Sequence, residues 1–487
     1  MSINNSYFSK NNTIVSNSYV NTGRNPVMEL FYGNGGISDP TGYSRFIFDL
    51  DLTLLRDKVA NGTISLDCAI SGMKHTLKMT NTSYFDNELL NTTTPDGRFR
   101  ATSFDLILFR IPPKDFDPSK PQYWDEGVGY DFYDISDPIQ GDRNYSVRPS
   151  NWYQTTTIGT WEQPGIYNNL NMGSVPFSAL TIVDIQHFEF GDENIQFDMT
   201  SEINSILTNT FTGSTGWGIA YLPQVENLTG TEGSYSVGFF TRHTQTFYEP
   251  FLLTTYDDLI EDDRNYFTLN KVNKLYLYVY EDGNFMNLDQ NPLVTISDAS
   301  GSPIPGLINL PSCRRTQGVY EIVIPPLVGY KTPCIFNDTW SNIILNGFSL
   351  PNVINDFTIY PLKKSIQIGT STFDPSKFGF DYYGILQNEK ILVSDIRKVG
   401  VIIKEAYTTN KMLPNVESLY RVYVREGQTE VIVQDWTHLN RTPNEYYFIF
   451  DMRDKIPNEY FIDIQVKMMG QINTYKKQIQ FQIVNEK

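Results

Sequence analysis

Three short strand-like segments near the middle of the chain constrain its fold more than any other part of the sequence. Between Phe211 and Tyr256 they lie at Trp217–Tyr221, at residues that end in Phe239–Arg242, and at Pro250–Tyr256. Runs of aromatic and β-branched residues that are bounded by Gly, Pro and polar turns are typical of β-strands. The succession predicts the closing strands of a β-jelly roll, a fold that is used for display and assembly.

The composition favours a chain of several β-rich domains. The 487 residues correspond to about three domains of roughly 150 residues each. Aromatic residues make up 14% of the chain, and their rings pack well on a pleated sheet. Because the apolar fraction of 40% can fill several cores, a largely disordered chain is not expected. We therefore predict an all-β protein.

The pattern along the chain predicts four segments. Residues 1–26 are rich in Asn, Ser and Thr, and we expect an N-terminal arm that orders only against a partner. Residues 27–258 are the predicted jelly roll with a long loop insertion. Two immunoglobulin-like β-sandwiches are predicted at 259–370 and 371–487, where alternating strands and turn signals recur at the spacing of such domains. We interpret the acidic run Asp257–Asp263 as a solvated linker, since it lacks the spacing and turn glycine of an EF-hand calcium loop.

The segment Tyr43–Leu55 has the clearest alternation in the N-terminal half. Phe46, Phe48 and Leu50 fall on one face of the predicted strand, while Arg45, Asp49 and Asp51 fall near the other. Two carboxylates on one face suit a calcium site or a glycosidase. The preferred interpretation is that this second face meets solvent.

A long loop-rich insertion is predicted from Pro112 to Pro176. It is dense in Trp, Tyr, Gly and Pro, and long insertions of this kind are usually functional. Three interpretations remain open for its aromatic residues: they plug a wide jelly roll, anchor a protein interface, or stack on sugar rings. The interface candidates are Trp124, Tyr130, Trp152, Tyr153 and Trp161.

The chain is strongly acidic, with a formal net charge of −17. Affinity for nucleic acid comes largely from Lys and Arg, so a protein that grips DNA is not expected. Two interpretations of this charge remain open: it keeps the protein soluble, or it forms an acidic surface that lets DNA pass without binding.

The sequence predicts no catalytic residue, metal site or cofactor. A nucleophile elbow, a phosphate loop and a zinc-binding HExxH motif are all missing from the sequence. We expect structural roles for the four His, which are His75, His187, His243 and His438.

The three Cys do not have the spacing of a disulfide framework or a zinc site. We expect Cys68, Cys313 and Cys334 to be reduced and buried, the alternative being a Cys313–Cys334 bridge across one sandwich. The polar N-terminus does not resemble a signal peptide, and no run is long enough for a membrane helix. We therefore expect synthesis in a cytoplasm and no membrane partner.

The N-terminal half resembles the DNRLRE-type jelly-roll family, which has a fold like that of carbohydrate-binding modules. Residues 43–50 (YSRFIFDL) are similar to an early strand of that family. Thr160-Trp161, together with Pro164-Gly165, is similar to its middle segment. Residues 200–202, 216–219, 240–242 and 250–252 are similar to its closing strands. The resemblance covers roughly residues 27–256, and the insertion departs from it.

The whole chain also resembles virion structural proteins of crAss-like podoviruses that infect Bacteroidetes. The residues that carry this resemblance are 124–131 (WDEGVGYD) and 151–153 (NWY). It implies a non-enzymatic protein of the virion neck or tail, in a ring of usually twelve copies between portal, adaptor and tail proteins. DNA would be only the non-specific contents of the channel.

Two other functions remain open at this stage. A carbohydrate-binding adhesin or receptor-binding protein of a phage or bacterial surface would use exposed Trp152 and Trp161. A polysaccharide-degrading enzyme would use carboxylates such as Asp49, Asp125 and Glu126, although nothing in the sequence places these together.

Overall fold

The computed structural model of the protein is nearly all β and divides into two compact units. The jelly-roll unit comprises Asn4–Asp57 and Met73–Thr255, and the sandwich unit comprises Met1–Ile3, Lys58–Gly72 and Tyr256–Lys487. The structure describes residues 2–33, 42–68, 72–82, 99–117, 119–129, 149–208, 216–228, 234–264, 267, 269, 271–327, 334–359, 378–405, 417–426, 429–442, 445–453, 455–468 and 471–485.

The regular elements are short and mostly antiparallel. The strands are β1 (Ser2–Val15), β2 (Val27–Gly33), β3 (Gly42–Leu50), β4 (Lys74–Met79), β5 (Phe99–Arg100), β6 (Phe104–Arg110), β7 (Thr181–Phe188), β8 (Ile195–Asp198), β9 (Trp217–Tyr221), β10 (Ser234–Phe240), β11 (Phe251–Tyr256), β12 (Asn273–Tyr278), β13 (Tyr280–Glu281), β14 (Asn284–Phe285), β15 (Leu293–Asp298), β16 (Leu310–Pro311), β17 (Cys313–Thr316), β18 (Val319–Ile324), β19 (Cys334–Ser341), β20 (Ile344–Leu345), β21 (Phe348–Ser349), β22 (Val353–Ile359), β23 (Phe378–Tyr383), β24 (Glu389–Leu392), β25 (Ile396–Glu405), β26 (Glu417–Glu426), β27 (Thr429–His438), β28 (Asn440–Arg441), β29 (Tyr446–Asp451), β30 (Glu459–Met468) and β31 (Gln471–Val484). The α-helices are α1 (Thr53–Ala60), α2 (Thr200–Leu207) and α3 (Pro223–Glu226), and 3-10 helices lie at Lys114–Phe116 and Phe177–Ala179.

The strands of the jelly roll form one continuous sheet. Its strands follow the order β5-β10-β2-β3-β1-β11-β4-β8, and β9, β6 and β7 continue from β3. The predicted inner face of β3 is confirmed, because Phe46, Phe48 and Leu50 are all buried. Phe48 stacks on Phe8 of β1 and on Trp217 of β9, which closes the inside of the roll.

The prediction of a free N-terminal arm is wrong. Residues 2–15 form β1, which pairs with β3 from Phe8 to Val15. The polar composition of this segment is misleading because its amides make buried hydrogen bonds: Asn11 Nδ2 donates to Gly23 O at 2.8 Å, and Asn12 Nδ2 donates to Ser150 O at 2.7 Å. A polar strand enters a sheet when its side chains find such partners.

Two immunoglobulin-like β-sandwiches make up most of the sandwich unit, as predicted. In the first, sheets β12-β18-β17 and β16-β15-β19-β22 enclose a core around Trp340, Tyr320 and Phe336. In the second, sheets β23-β25-β29-β28 and β24-β31-β30-β26-β27 enclose a core around Tyr420 and Phe448, whose rings stack at 4.0 Å. The predicted boundary at 370/371 lies outside the described residues.

The acidic run at the first boundary is not a solvated linker. Ile260 and Asp262 are each 1% exposed, and a β-bridge joins Glu261 to Arg441 of the second sandwich. Arg441 also forms an ion pair with Asp263 at 2.9 Å. The solvated-linker interpretation is wrong because the strand-like backbone of the run hydrogen-bonds to β28 and places its carboxylates beside Arg side chains.

The expectation of three reduced thiols is also wrong. Cys68 and Cys313 form a disulfide across 245 residues of sequence, with Cα atoms 5.6 Å apart, while Cys334 is a free thiol. The neighbouring Thr63 O accepts a hydrogen bond from Thr316 Oγ1 at 3.0 Å. Lys58 forms an ion pair with Asp451 at 3.0 Å, so this segment contacts both sandwiches. Among the described residues, no helix is long and apolar enough to span a membrane.

Candidate functional site

The insertion between β6 and β7 folds onto the outer face of the jelly-roll sheet. Residues 112–117, 119–129 and 149–176 of it are described. The outward side chains of the strands meet the insertion in a second apolar core, separate from the inside of the roll. From the strands come Ile14, Ile47, Ile107, Phe109 and Ala220, and from the insertion come Trp124, Trp152, Trp161, Ile166, Tyr167 and Val175.

This second core overturns the predicted role of three interface candidates. Trp124, Trp152 and Trp161 are only 3, 4 and 6% exposed, so they offer no indole face to a partner or a sugar. Of the three interpretations, plugging is the one that the structure supports, although the rings cover the outside of the sheet and do not fill its inside. Tyr130 lies outside the described residues. Tyr153 is half-buried, and its ring lies 4.9 Å from that of exposed Tyr19.

A buried ion pair holds the insertion to the sheet. Arg45 and Glu226 have fully buried side chains, and the guanidinium donates from Nε to Oε1 at 2.8 Å and from Nη2 to Oε2 at 2.7 Å. Nη1 donates to the carbonyl oxygens of Gly165 and Tyr167 in the insertion, at 2.5 and 2.9 Å. The Tyr167 ring lies under the guanidinium, 3.5 Å from its carbon atom. Strand, insertion and α3 therefore share one charged centre.

The electrostatics of this centre follow from its burial. Desolvation opposes the charge on Arg45, but the attraction of Glu226, its hydrogen bonds and the nearby Tyr167 and Tyr43 together outweigh desolvation and raise the pKa of Arg45. Burial also raises the pKa of Tyr43 to about 12 and that of Tyr167 well above its ordinary value. Both phenols therefore stay neutral at physiological pH. Neither the Arg45 guanidinium nor these two phenols titrates near neutral pH, which suits a structural role.

A second charged cluster lies at the edge of the insertion. Glu126 Oε1 accepts a hydrogen bond from the backbone N–H of Asn11 at 3.0 Å, and contacts Arg242 Nη1 at 3.3 Å and His243 Nε2 at 3.1 Å. Lys10 Nζ lies 4.1 Å from the Trp124 ring centre and donates to Trp124 O. Burial lowers the pKa of Lys10, and the nearby carboxylates of Asp49, Asp125 and Glu126 oppose that change.

The paired-carboxylate interpretation of Asp49 and Asp51 fails on local geometry. Strand β3 ends at Leu50, and Asp51 Oδ1 instead accepts the backbone N–H of Thr53 at 3.0 Å, at the start of α1. The two carboxylates therefore do not share a strand face. Across the residues that the structure describes, no group of three or more His, Cys, Asp or Glu is placed to hold a metal ion.

The accessible apolar side chains of the insertion are ones that the sequence analysis passed over. Ile158 is 97% exposed and Tyr123 75%, and Leu170 and Met172 are 57 and 59% exposed. All four lie in irregular loops over the second core. Their exposure has no signature in the sequence, because an isolated aliphatic residue in a loop is as compatible with burial as with a contact surface.

Comparisons with known proteins give no family. No family model and no curated protein matches the chain. Among solved structures, the titin fragment A168–A169 is 10% identical over 46% of this chain and 97% of its own length, with a TM-score of 0.15. The Ig1–2 module of the Drosophila receptor tyrosine phosphatase DLAR is 12% identical over 45% of this chain and 92% of its own, with a TM-score of 0.16. An endo-fucoidan hydrolase of glycoside hydrolase family 107 is 9% identical over 53% of this chain and 37% of its own, with a TM-score of 0.15.

Proposed function

We propose that this chain is a non-enzymatic structural protein of a phage virion, a subunit of a ring in the portal–tail assembly around the DNA path. One observation carries the proposal. The insertion is anchored to the jelly-roll sheet by a buried ion pair and an apolar core, and it presents exposed apolar side chains on its outside. Rigidly supported loops with exposed apolar side chains are typical of protein interaction surfaces.

The phage setting rests on the sequence resemblance carried by residues 124–131 and 151–153. Serial β-domains suit a mechanical role, because each has its own core and offers side surfaces to neighbours. A heterologous contact that closes by rotation gives a ring. In this proposal the loops around Ile158 and Leu170 contact adjacent copies or the next ring.

The test is assembly of the purified protein, followed by negative-stain electron microscopy and mass photometry. We expect closed rings of the wild-type chain. Ile158→Asp combined with Leu170→Asp should leave folded monomers, since a buried charge at a contact opposes association. Ile185→Asp is the matched control, because Ile185 is 53% exposed on β7, outside the insertion. We expect this variant to form rings. A wild-type chain that stays monomeric at high concentration would contradict the proposal.

A further inference from the structure

Three cations converge on two adjoining aromatic rings in the second sandwich. The rings of Tyr423 and Phe461 stack at 5.4 Å on the outer face of the five-stranded sheet, away from the sandwich core. The Arg421 guanidinium carbon lies 5.1 Å from the Tyr423 ring centre. Arg425 Cζ and Lys477 Nζ each lie 5.5 Å from the centre of Phe461. We call Arg421, Arg425 and Lys477, with these two rings, the cationic face.

A buried carboxylate organises the cationic face. Asp463 is 0% exposed, and it accepts hydrogen bonds from Arg421 Nη2 at 2.6 Å and from the backbone N–H of Lys477 at 2.8 Å. Lys477 is in the left-handed region with φ of 52°, a conformation that is uncommon for a residue with a side chain. The register of β30 against β31 shifts at this point, between Ile462 and Ile464, and the resulting β-bulge accommodates the conformation. Here it accompanies an ammonium group placed over Phe461.

The cationic face has more positive than negative charge. Asp463 and Glu430 both contact Arg421, at 2.6 and 3.2 Å. Arg425 is 39% exposed and reaches Glu430 only at 3.8 Å. Within the part of the chain that the structure describes, Lys477 has no ion-pair partner, and its side chain is exposed. Two cations, Arg425 and Lys477, are therefore available to carboxylates of another molecule.

We infer that the cationic face binds a second copy of this chain through the carboxylates of that copy. Charge complementarity favours this occupant: each copy carries a net charge of −17, so copies repel one another unless a local cationic surface meets the acidic surface of the next. A contact between two different surfaces is heterologous, which is the kind that closes a ring. The inference rests on the proposed function and adds one of its contact surfaces.

Charge reversal tests the inference. Arg425→Glu combined with Lys477→Glu should raise the concentration needed for half-maximal assembly by roughly tenfold or more. The matched control is Arg397→Glu combined with Lys404→Glu, which makes the same change in net charge on β25, in the other sheet of this sandwich. We expect the control to assemble like the wild type. Equal assembly of both variants would overturn the inference, and so would equal loss.

Zero-length crosslinking with a carbodiimide gives an independent readout, because it joins an ammonium group only to a carboxylate in contact. We expect crosslinked dimers that contain the Lys477 peptide joined to an acidic peptide. Lys477→Arg should keep the charge and the assembly but lose this crosslink. Wild-type rings without a Lys477 crosslink would refute the inference and leave the proposed function standing, whereas absence of rings would refute the proposed function. Retention on an acidic polysaccharide column that is lost with the charge, while assembly is unchanged, would assign the face to a glycan instead.

Discussion

Two sheet faces of this molecule carry an arginine beside a carboxylate, and they differ in what covers them. On the jelly roll, Arg45 and Glu226 are both 0% exposed because the chain's own insertion lies over the sheet. On the second sandwich, Arg421 is 14% exposed beside a fully buried Asp463, and two further cations remain accessible. In the first face the charge anchors an intramolecular layer, and in the second it is open to another molecule.

The comparison shows that alternation assigns a side chain to a face but not to an environment. Arg45 points away from the inside of the roll and Arg421 points away from the core of the second sandwich, and alternation alone would place each of them in solvent. The insertion decides the outcome for Arg45, because it excludes water and must then supply every partner that the guanidinium needs. A covered face stabilises the fold, whereas an open one is available for binding.

The largest expected effect comes from breaking the covered pair. Glu226→Gln keeps the size of the side chain but leaves the buried Arg45 without its counter-charge, and we expect a loss of about 3–5 kcal/mol in the free energy of unfolding of the jelly roll. Urea denaturation followed by tryptophan fluorescence measures it, since Trp124, Trp152, Trp161 and Trp217 lie in that unit.

A double variant sharpens the interpretation of that loss. Arg45→Met combined with Glu226→Met removes both charges at similar volume and should recover part of the stability. Recovery will be partial, because the carbonyl oxygens of Gly165 and Tyr167 lose their donor. A double variant as unstable as Glu226→Gln would mean that the pair does not act through its buried charge.

Removing the disulfide should have the next largest effect, and it should affect only one of the two units. Cys68 and Cys313 both belong to the sandwich unit, and closing a long loop restricts the unfolded chain. Replacing both by Ala should lower the stability of the sandwich unit by about 2–4 kcal/mol and leave the jelly roll unchanged. Scanning calorimetry of both forms, with Cys334→Ala as the control for loss of a thiol, checks this expectation. A fall in the jelly-roll transition would contradict it.

Acid should affect the two units in opposite directions. In the jelly roll, burial lowers the pKa of His75 to about 4, so the folded state resists protonation and loses stability as the pH falls from 6.5 towards 4. In the sandwich unit, burial raises the pKa of Asp262 to about 6 despite the attraction of Arg264. Its folded state holds the proton more tightly, so stability falls as the pH rises from about 4 through 6. Each effect amounts to at most roughly 3 kcal/mol.

Unfolding free energies between pH 4 and pH 7 measure both trends in one series. His75→Gln should flatten the trend in the jelly roll, and Asp262→Asn should flatten the trend in the sandwich unit. If one variant changes both trends equally, the groups do not titrate as independent sites in separate units.

The parts of the fold that follow from local pattern were predictable. Phe46, Phe48 and Leu50 alternate along β3 and line the inside of the roll. The predicted all-β class with two sandwiches is confirmed. These features depend on neighbours in sequence, whose spacing is visible without tertiary structure.

The features that failed depend on partners far away in the chain. Cys68 forms a disulfide with Cys313, 245 residues away in the sequence, and no local spacing predicts that pairing. The sequence predicted an arm at Asn11 and Asn12 because the buried acceptors of these amides lie elsewhere in the chain. For the tryptophans of the insertion, the sequence left plugging, interface contact and sugar stacking open, since aromatic enrichment is shared by interfaces and cores.

The smallest expected effect tests the open face. Asp463→Asn keeps the shape of the side chain, but it removes the charge that holds Arg421 and places an amide donor against a donor of Arg421 or Lys477. We expect a loss of about 1–2 kcal/mol, less than for Glu226→Gln, because water reaches the partly exposed Arg421 and replaces part of the lost interaction. Urea denaturation of both variants under one set of conditions gives the comparison directly. Equal losses of unfolding free energy in the two variants would mean that the exposure of the arginine does not determine how much its ion pair stabilises the fold. The covered and the open face would then differ in geometry but not in energy.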